Sequence, residues 1–163
     1  MDRLVTSAEE VLEVINRFRH FGDMPYTEGH SAWKKWEKVS IQAILEEFSH
    51  CSRNNYSPPI KLTDVFCILG RKLIEELGHY AKSWDQVDRF AYLLLEKHKL
   101  YGAAPLEKWG ALGIIIRIDS KHERILNMQQ SKQSSVLSRE ESLDDTRWDI
   151  LGYCVLGYLL VTR

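Results

Sequence analysis

Residues 62–80 read LTDVFCILGRKLIEELGHY, and this stretch decides the fold class. Its large apolar side chains recur at the three- to four-residue spacing that places them on one face of an α-helix: Phe66, Leu69, Leu73 and Leu77. Thr63 and Asp64 stand where an N-cap and an acidic first-turn residue stabilise a helix start. The stretch therefore predicts a helix over residues 62–80 that buries one face.

The same periodicity predicts helices along most of the chain. They are expected from Thr6 or Ser7 to about Gly22, over residues 31–50, from Ser83 to about Gly102, over 112–128 and from Ser138 to the C-terminus. Residues 102–105 are expected to form a loop. No segment alternates apolar and polar residues with the two-residue period of a strand. We therefore predict an all-α bundle of about five to six helices with negligible strand.

The segment CSRNNYSPP, residues 51–59, is the best internal boundary. Its Ser and Asn residues favour turns, and Pro58-Pro59 is incompatible with a helix interior. We expect residues 1–57 to form an N-terminal helical arm that packs on a core formed by residues 58–163. Together they should make one continuous domain.

Composition indicates a globular protein of a reducing compartment. The chain has 163 residues, 44% of them hydrophobic and 28% charged, and a net charge of -1. This balance disfavours a partner such as duplex nucleic acid, which normally requires a basic excess. The three cysteines contain no CxxC pair and predict reduced thiols. Because no secretory signal is visible and the longest apolar run, residues 150–161, is too short to cross a bilayer, we expect a cytoplasmic protein without membrane contact.

Three cations form a stripe along the predicted helix over residues 112–128. Arg117, Lys121 and Arg124 are spaced i, i+4 and i+7 and share one helix face, with Asp119 and Glu123 as a neighbouring acidic pair. Arginine and lysine side chains are the groups that hold the outer oxygens of a phosphate chain. The stripe therefore predicts a phosphate-binding surface.

The last predicted helix carries acidic side chains and a tyrosine at four-residue spacing: Glu141, Asp145, Asp149 and Tyr153. Carboxylates one turn apart can share a divalent cation, and oxygen ligands suit Mg²⁺ or Mn²⁺. An ordinary solvated helix face is the alternative interpretation of both charged stripes. Asp149 argues against it, because it lies beside Trp148 and Ile150, where a charge is costly unless it is paired or ligated.

Three blocks within residues 90–160 resemble a known family when taken in order: LLLEKHKLYG, GIIIRIDSKHERI and ESLDDTRWDILGYCVL. They resemble the KHxxYG turn, the RIxDK..R helix and the ED..D..GY helix of the phage-enriched nucleotide modification associated domain family. The resemblance covers a little under half of the chain. Ser120 departs from the pattern, because the family usually has an acid before the lysine, whereas Asp119 is retained.

The resemblance implies a fold and activity similar to those of the MazG-type all-α nucleotide pyrophosphohydrolases. These enzymes split a nucleoside triphosphate into a monophosphate and pyrophosphate with magnesium. For this chain it also implies a role in bacteriophage DNA modification within the host cytoplasm, a slight preference for a purine such as dGTP, and a homo-oligomer.

A second, weaker pattern lies upstream, in RKLIEELGHYAKSW. Glu75 and Glu76 match the first two acids of the EExxE metal helix of MazG-type enzymes, whereas His79 replaces the third. An amphipathic helix with exposed glutamates is the alternative interpretation.

The turn EKHKLYG, residues 96–102, has functional side chains of its own. Glu96 could ligate a metal, Lys97 could contact a phosphate, and Tyr101 beside Gly102 could lie against a nucleobase. The alternative is a helix C-cap, in which Lys and His complement the dipole and Gly ends the helix.

These patterns together predict a hydrolase, a metal-dependent nucleotide pyrophosphohydrolase acting on a (deoxy)nucleoside triphosphate. Metal ligands or a water-activating carboxylate would come from Glu96, Asp119, Glu141, Asp145 and Asp149, with Glu75 and Glu76 as further candidates. The phosphates would be held by Arg117, Lys121 and Arg124, and the substrate also by Lys97 and Tyr101. Catalysis would combine metal activation of water with electrostatic stabilisation.

Two alternatives stay open from the sequence. One is a non-catalytic helical module that binds a nucleotide or a protein, which the acids missing at Ser120 and His79 favour. The other is a ferritin-like di-iron protein, because Glu47 with His50 and Glu76 with His79 have the Glu-x-x-His spacing of such bundles.

Overall fold

The computed structural model describes residues 3–78, 84–130 and 136–163, and the side chains of residues 84 and 136–142 lie outside that description. Within these ranges the chain forms seven helices and no strand, so the predicted all-α class is confirmed, with slightly more helices than the five to six expected. The helices are α1 (Ala8–His20), α2 (Glu28–Trp36), α3 (Ile41–Arg53), α4 (Leu62–Leu77), α5 (Trp84–Tyr101), α6 (Ala104–Gln130) and α7 (Val136–Thr162).

The first and fourth helices both start where the sequence predicts, but only the first has the predicted cap. Ser7 caps α1, because its hydroxyl accepts a hydrogen bond from the Glu10 N–H at 3.2 Å. In α4 the N-cap is Lys61, which makes no side-chain capping bond. The cap predicted at Thr63 and Asp64 is therefore wrong, since both residues already lie in the first turn.

The single helix predicted over residues 31–50 is two helices in the structure. α2 ends at Trp36, and α3 starts after Ser40, whose hydroxyl accepts a hydrogen bond from the Ala43 N–H at 3.1 Å. A serine that satisfies backbone donors in this way favours a new helix start over continuation of the old one. This break supplies a helix beyond those predicted.

Glycines in the left-handed region divide the segment between α5 and the long part of α6. Gly102, with φ of 74°, follows the end of α5, and Gly110, with φ of 66°, interrupts α6. The loop predicted over residues 102–105 is shorter than expected, because α6 begins at Ala104. α7 begins at Val136, before the helix start predicted at Ser138, and the helix start predicted at Ser83 lies outside the described residues.

Helix α7 packs along both α4 and α6, and α1 packs against α4 and α5. The buried apolar side chains form one cluster, which includes Val11, Phe48, Leu69 and Leu151. The approach of α4 and α7 depends on Gly157, because a Cβ built there would overlap the ring of Phe66. None of the helices in the described ranges is long and apolar enough to cross a membrane.

The three cysteines are free and buried. Burial raises the pKa of the Cys67 thiol to about 12, so this side chain stays protonated and behaves as a small apolar group.

Candidate functional site

Helices α5, α6 and α7 enclose a cleft of about 920 Å³. Charged and aromatic side chains from all three helices line it: Phe90, Lys97 and Tyr101 from α5, Arg117 and Lys121 from α6, and Asp145, Trp148, Asp149 and Tyr153 from α7. This is the volume of a small-molecule site. We refer to it below as the cleft.

Two contacts between α6 and α7 form one wall of the cleft. Arg117 Nη1 donates to Tyr153 Oη at 3.5 Å, and Lys121 Nζ donates to Asp149 Oδ2 at 3.4 Å. Each helix places its two residues one turn apart, and the order of the pairs runs in opposite directions along the two helices. The antiparallel packing of α6 and α7 therefore aligns the predicted cationic stripe with the predicted acidic one.

Asp149 lies between ammonium groups from two helices. Lys121 Nζ is 3.4 Å from its carboxylate and Lys97 Nζ is 3.9 Å away. The side chains are 27% exposed for Lys121, 44% for Asp149 and 64% for Lys97. Ion pairs this accessible to water contribute little stability, so an anionic ligand can take both lysines from Asp149 at small cost.

Aromatic side chains supply a second kind of surface in the cleft. The half-buried rings of Phe90 and Trp148 pack with their centroids 5.0 Å apart and their planes at 36°. Tyr101, 72% exposed, stands at the end of α5. Rings that are half-buried and partly free to solvent offer flat apolar area to a planar ligand group.

His98 lines the cleft and connects it to the N-terminal segment. Its Nε2 accepts a hydrogen bond from the Leu4 N–H at 2.7 Å, and the side chain is buried. Burial, with a smaller contribution from Arg3, lowers the pKa of His98 below its ordinary value, which favours the neutral ring that this acceptor role requires. Sequence reasoning treated His98 only as a cap, and its long-range partner leaves no local signal.

The other predicted site residues lie elsewhere. Glu96 forms an ion pair with Lys99 at 3.3 Å and does not line the cleft. Asp119 and Arg124 line neither the cleft nor a smaller cavity beside α3 and α4. The side chain of Glu141 lies outside the described part of the chain, as does residue 79.

The predicted carboxylates whose side chains the structure describes do not converge on one point. In the part of the chain that the structure describes, no group of three or more His, Cys, Asp or Glu side chains is arranged to hold a metal ion. Glu47 and His50 instead contact Cys51 and Asn54 on their own helix. Asp145 and Asp149 are the carboxylates that the cleft brings together, one turn apart on α7.

Two carboxylates suit one mode of metal binding. Mg²⁺ is commonly held by one or two carboxylates together with substrate phosphates and water, without a complete cage of protein ligands. Asp145 and Asp149 fit an ion that arrives with a phosphate chain.

Glu75 and Glu76 line a second cavity, of about 470 Å³, formed by α3, α4, α6 and α7 and the residues before α3. Glu75 pairs with Arg71 at 3.4 Å and Glu76 with Arg147 at 3.5 Å. The two glutamates are thus separate from Asp145 and Asp149, and the sequence-predicted residues fall into two sites. We refer to this site as the second cavity.

Sequence reasoning missed three residues of the second cavity: Lys72, His122 and Arg147. Lys72 and His122 are both buried. A local signal existed for His122, because it continues the buried stripe of Ile115, Ile118 and Ile125 along α6. A polar residue within an apolar stripe indicates that its side chain faces the protein interior.

Comparison of the chain with models of known families, with curated proteins and with solved structures found no match. The resemblance to the nucleotide modification associated domain family stays a prediction.

Proposed function

We propose that the protein binds a (deoxy)nucleoside triphosphate in the cleft and hydrolyses it to a nucleoside monophosphate and pyrophosphate. The observation that carries this proposal is that Lys97, Arg117 and Lys121 line one cleft together with an aromatic surface, and Arg89 adds a fourth cation to its lining. A nucleotide is a ligand that needs both: cations for the phosphates and a flat apolar surface for the base.

Substrate binding is expected to begin with an exchange of partners. The ammonium groups of Lys97 and Lys121 now lie within 4 Å of the Asp149 carboxylate. A triphosphate carries several negative charges, whereas the Asp149 carboxylate carries one, so both lysines would move from Asp149 to the phosphates. Arg117 would meet an outer phosphate oxygen in the same way, in place of its long hydrogen bond to Tyr153.

The exchange would leave the carboxylates available for chemistry. Mg²⁺ or Mn²⁺, held by Asp145, Asp149 and the phosphates, would neutralise phosphate charge and activate a water molecule. A carboxylate oxygen of Asp145, or of Asp149 once the lysines release it, can accept the proton of the attacking water. The three cations would then stabilise the charge that develops on the departing pyrophosphate.

The test is product analysis with a panel of deoxynucleoside triphosphates, in Mg²⁺, in Mn²⁺ and in excess chelator. We expect monophosphate and pyrophosphate, formed only with a divalent cation. Asp145→Asn and Asp149→Asn should abolish turnover while the helical circular-dichroism signal stays unchanged. Asp119→Asn is the matched control, since Asp119 shares the acidic pattern but does not line the cleft, and it should retain activity.

Three results would refute this mechanism. Activity in excess chelator would exclude a divalent cation from the reaction. Release of inorganic phosphate and a diphosphate would mean attack at the γ position. Equal activity in Asp119→Asn and Asp149→Asn would show that the cleft is not the site.

One observation favours a second candidate function, a nucleotide-binding module without catalysis. Among the described residues no three acidic or histidine side chains converge for a metal. The same panel separates the two functions. A binding module would bind a triphosphate at the cleft, with an affinity that decreases when Lys121 is replaced, and it would form no product with either metal.

A further inference from the structure

The second cavity is lined in part by the buried imidazole of His122. His122 is only 8% exposed, yet it makes no hydrogen bond with any residue that the structure describes. Burial lowers the pKa of this histidine, more than Asp119 and Glu123 raise it, so the ring is neutral and offers one N–H donor and one acceptor nitrogen. Because no described residue hydrogen-bonds these nitrogens and His122 lines the cavity, they are available to a ligand there.

Lys72 is a second buried polar group in the same cavity. It is 8% exposed, and its Nζ donates to the Glu37 carbonyl at 2.8 Å. Among the described residues it forms no ion pair with a carboxylate. An ammonium group has three N–H donors, so Lys72 retains hydrogen-bonding capacity and a positive charge that the Glu37 carbonyl does not neutralise.

The acids nearby already have cationic partners. Glu75 pairs with Arg71 at 3.4 Å, and Arg147 is shared by Glu76 at 3.5 Å and Asp144 at 2.9 Å. These groups together carry two positive and three negative charges. Glu75 and Glu76 also act on Lys72, and with its charge included the positive and negative charges sum to zero. A polyphosphate would therefore add several negative charges in excess, whereas a monocarboxylate adds one and places it against Lys72.

We propose that the second cavity binds a small monocarboxylate, whose oxygens accept hydrogen bonds from Lys72 Nζ and the His122 N–H. A carboxylate matches one ammonium group and one neutral donor in both charge and hydrogen-bonding capacity. The volume of about 470 Å³ leaves room for a hydrocarbon body, and Val39, Ile125 and Leu126 supply apolar surface for it. The site does not depend on the function proposed for the cleft.

The proposal can be tested by titrating the ¹⁵N-labelled full chain with sodium acetate and sodium butyrate and following the backbone amides of residues 122–129 by NMR. Sodium chloride at matched ionic strength is the control. We expect saturable shifts with both carboxylates and not with chloride. Butyrate should bind on the order of tenfold more tightly than acetate, because two further methylene groups become buried.

Variants locate the site. Lys72→Met should weaken butyrate binding by about tenfold or more, since it removes a charge-assisted hydrogen bond. His122→Leu should also weaken it, which a role in packing alone would not cause. Lys121→Met, in the cleft, should leave butyrate affinity unchanged.

Absence of saturable shifts with either carboxylate would overturn the proposal, as would equal affinity in wild type and His122→Leu. Tighter binding of inorganic phosphate than of butyrate would refute the monocarboxylate class. If Lys72→Met loses its circular-dichroism signal, His122→Leu still decides the question, because leucine fits an apolar stripe of α6.

Discussion

The cleft and the second cavity are built partly from the same two helices, yet the charged groups of the cleft are exposed to solvent and those of the second cavity are mostly buried. α6 supplies Lys121 to the cleft and the next residue, His122, to the second cavity. α7 supplies Asp149 to the first and Arg147 to the second. Neighbouring residues on a helix point about 100° apart, so one pair of helices can serve two sites.

The difference in burial gives the two sites different chemistry. In the cleft Lys97 and Asp149 are 64% and 44% exposed and form ion pairs that a ligand can replace. In the second cavity Lys72 and His122 are each 8% exposed, and burial lowers the pKa of both. The exposed charges of the cleft favour a polyanionic ligand. The buried and nearly balanced charges of the second cavity restrict the charge and the size of a ligand.

The largest expected effect concerns phosphate binding in the cleft. Lys121→Met should lower triphosphate affinity tenfold or more, because a charge-assisted hydrogen bond contributes about 1.5–3 kcal/mol. Binding of the nucleoside without phosphates should change little. Arg124→Met removes a charge from the same predicted stripe but from outside the cleft, and it should change affinity less than twofold. Calorimetric titration of both variants checks this, and equal losses would place Arg124 at the site.

Two glycines on α7 allow the packing of its face toward α4 to be compared with the packing of its face toward the cleft. A Cβ at Gly157 would overlap the Phe66 ring, whereas at Gly152 the nearest atom, Leu94 Cδ1, is 3.4 Å away. Gly157→Ala should lower the free energy of unfolding by about 1–2 kcal/mol through overpacking. Gly152→Ala should raise it by up to about 1 kcal/mol, because alanine favours a helix interior. Chemical denaturation measures both, and a change of the same sign in the two variants would contradict this packing.

His98 provides a smaller test at the cleft wall. His98→Leu leaves the buried Leu4 N–H without an acceptor and should lower the free energy of unfolding by about 1 kcal/mol or more. His98→Gln keeps a side-chain acceptor and should lose less. Urea denaturation at neutral pH compares the two. A leucine variant as stable as wild type would show that the N-terminal segment does not depend on this bond.

The smallest effect is a dependence of stability on pH that both sites share. Burial lowers the pKa of His98 and of His122 below the ordinary value of 6.5. Near that pH the unfolded chain binds protons that the folded protein does not, so stability increases with pH. The contribution of the two histidines to the free energy of unfolding should be fully present above pH 6.5. It should be lost as the pH falls through the lowered pKa values of His98 and His122. His98→Gln with His122→Gln should flatten this part of the profile, and an unchanged slope would assign it to other groups.

Much of the architecture was predictable because helix signals are local. The apolar stripe of residues 62–80 and the cap at Ser7 both predicted helices that the structure contains. The break at Ser40 was missed because serine is tolerated within helices and acts as a cap only where the chain has reason to turn. Likewise, Lys121 and Asp149 were found by spacing and Lys97 by the chemistry of its turn, but neither kind of signal states which helix faces meet.

Most of the helices, their apolar faces and the charged stripes could be predicted from local sequence, since each depends on residues within a few turns of one another. In contrast, no local pattern indicates that Lys97, Lys121 and Asp149 share one cleft while Glu75 and Glu76 belong to another cavity. This arrangement follows from the packing of α7 against α4 and α6, which sets the side of each charged helix that faces each neighbour. Burial follows from the same packing, because it places the His122 side chain in the interior while the adjacent Lys121 keeps part of its side chain exposed to solvent.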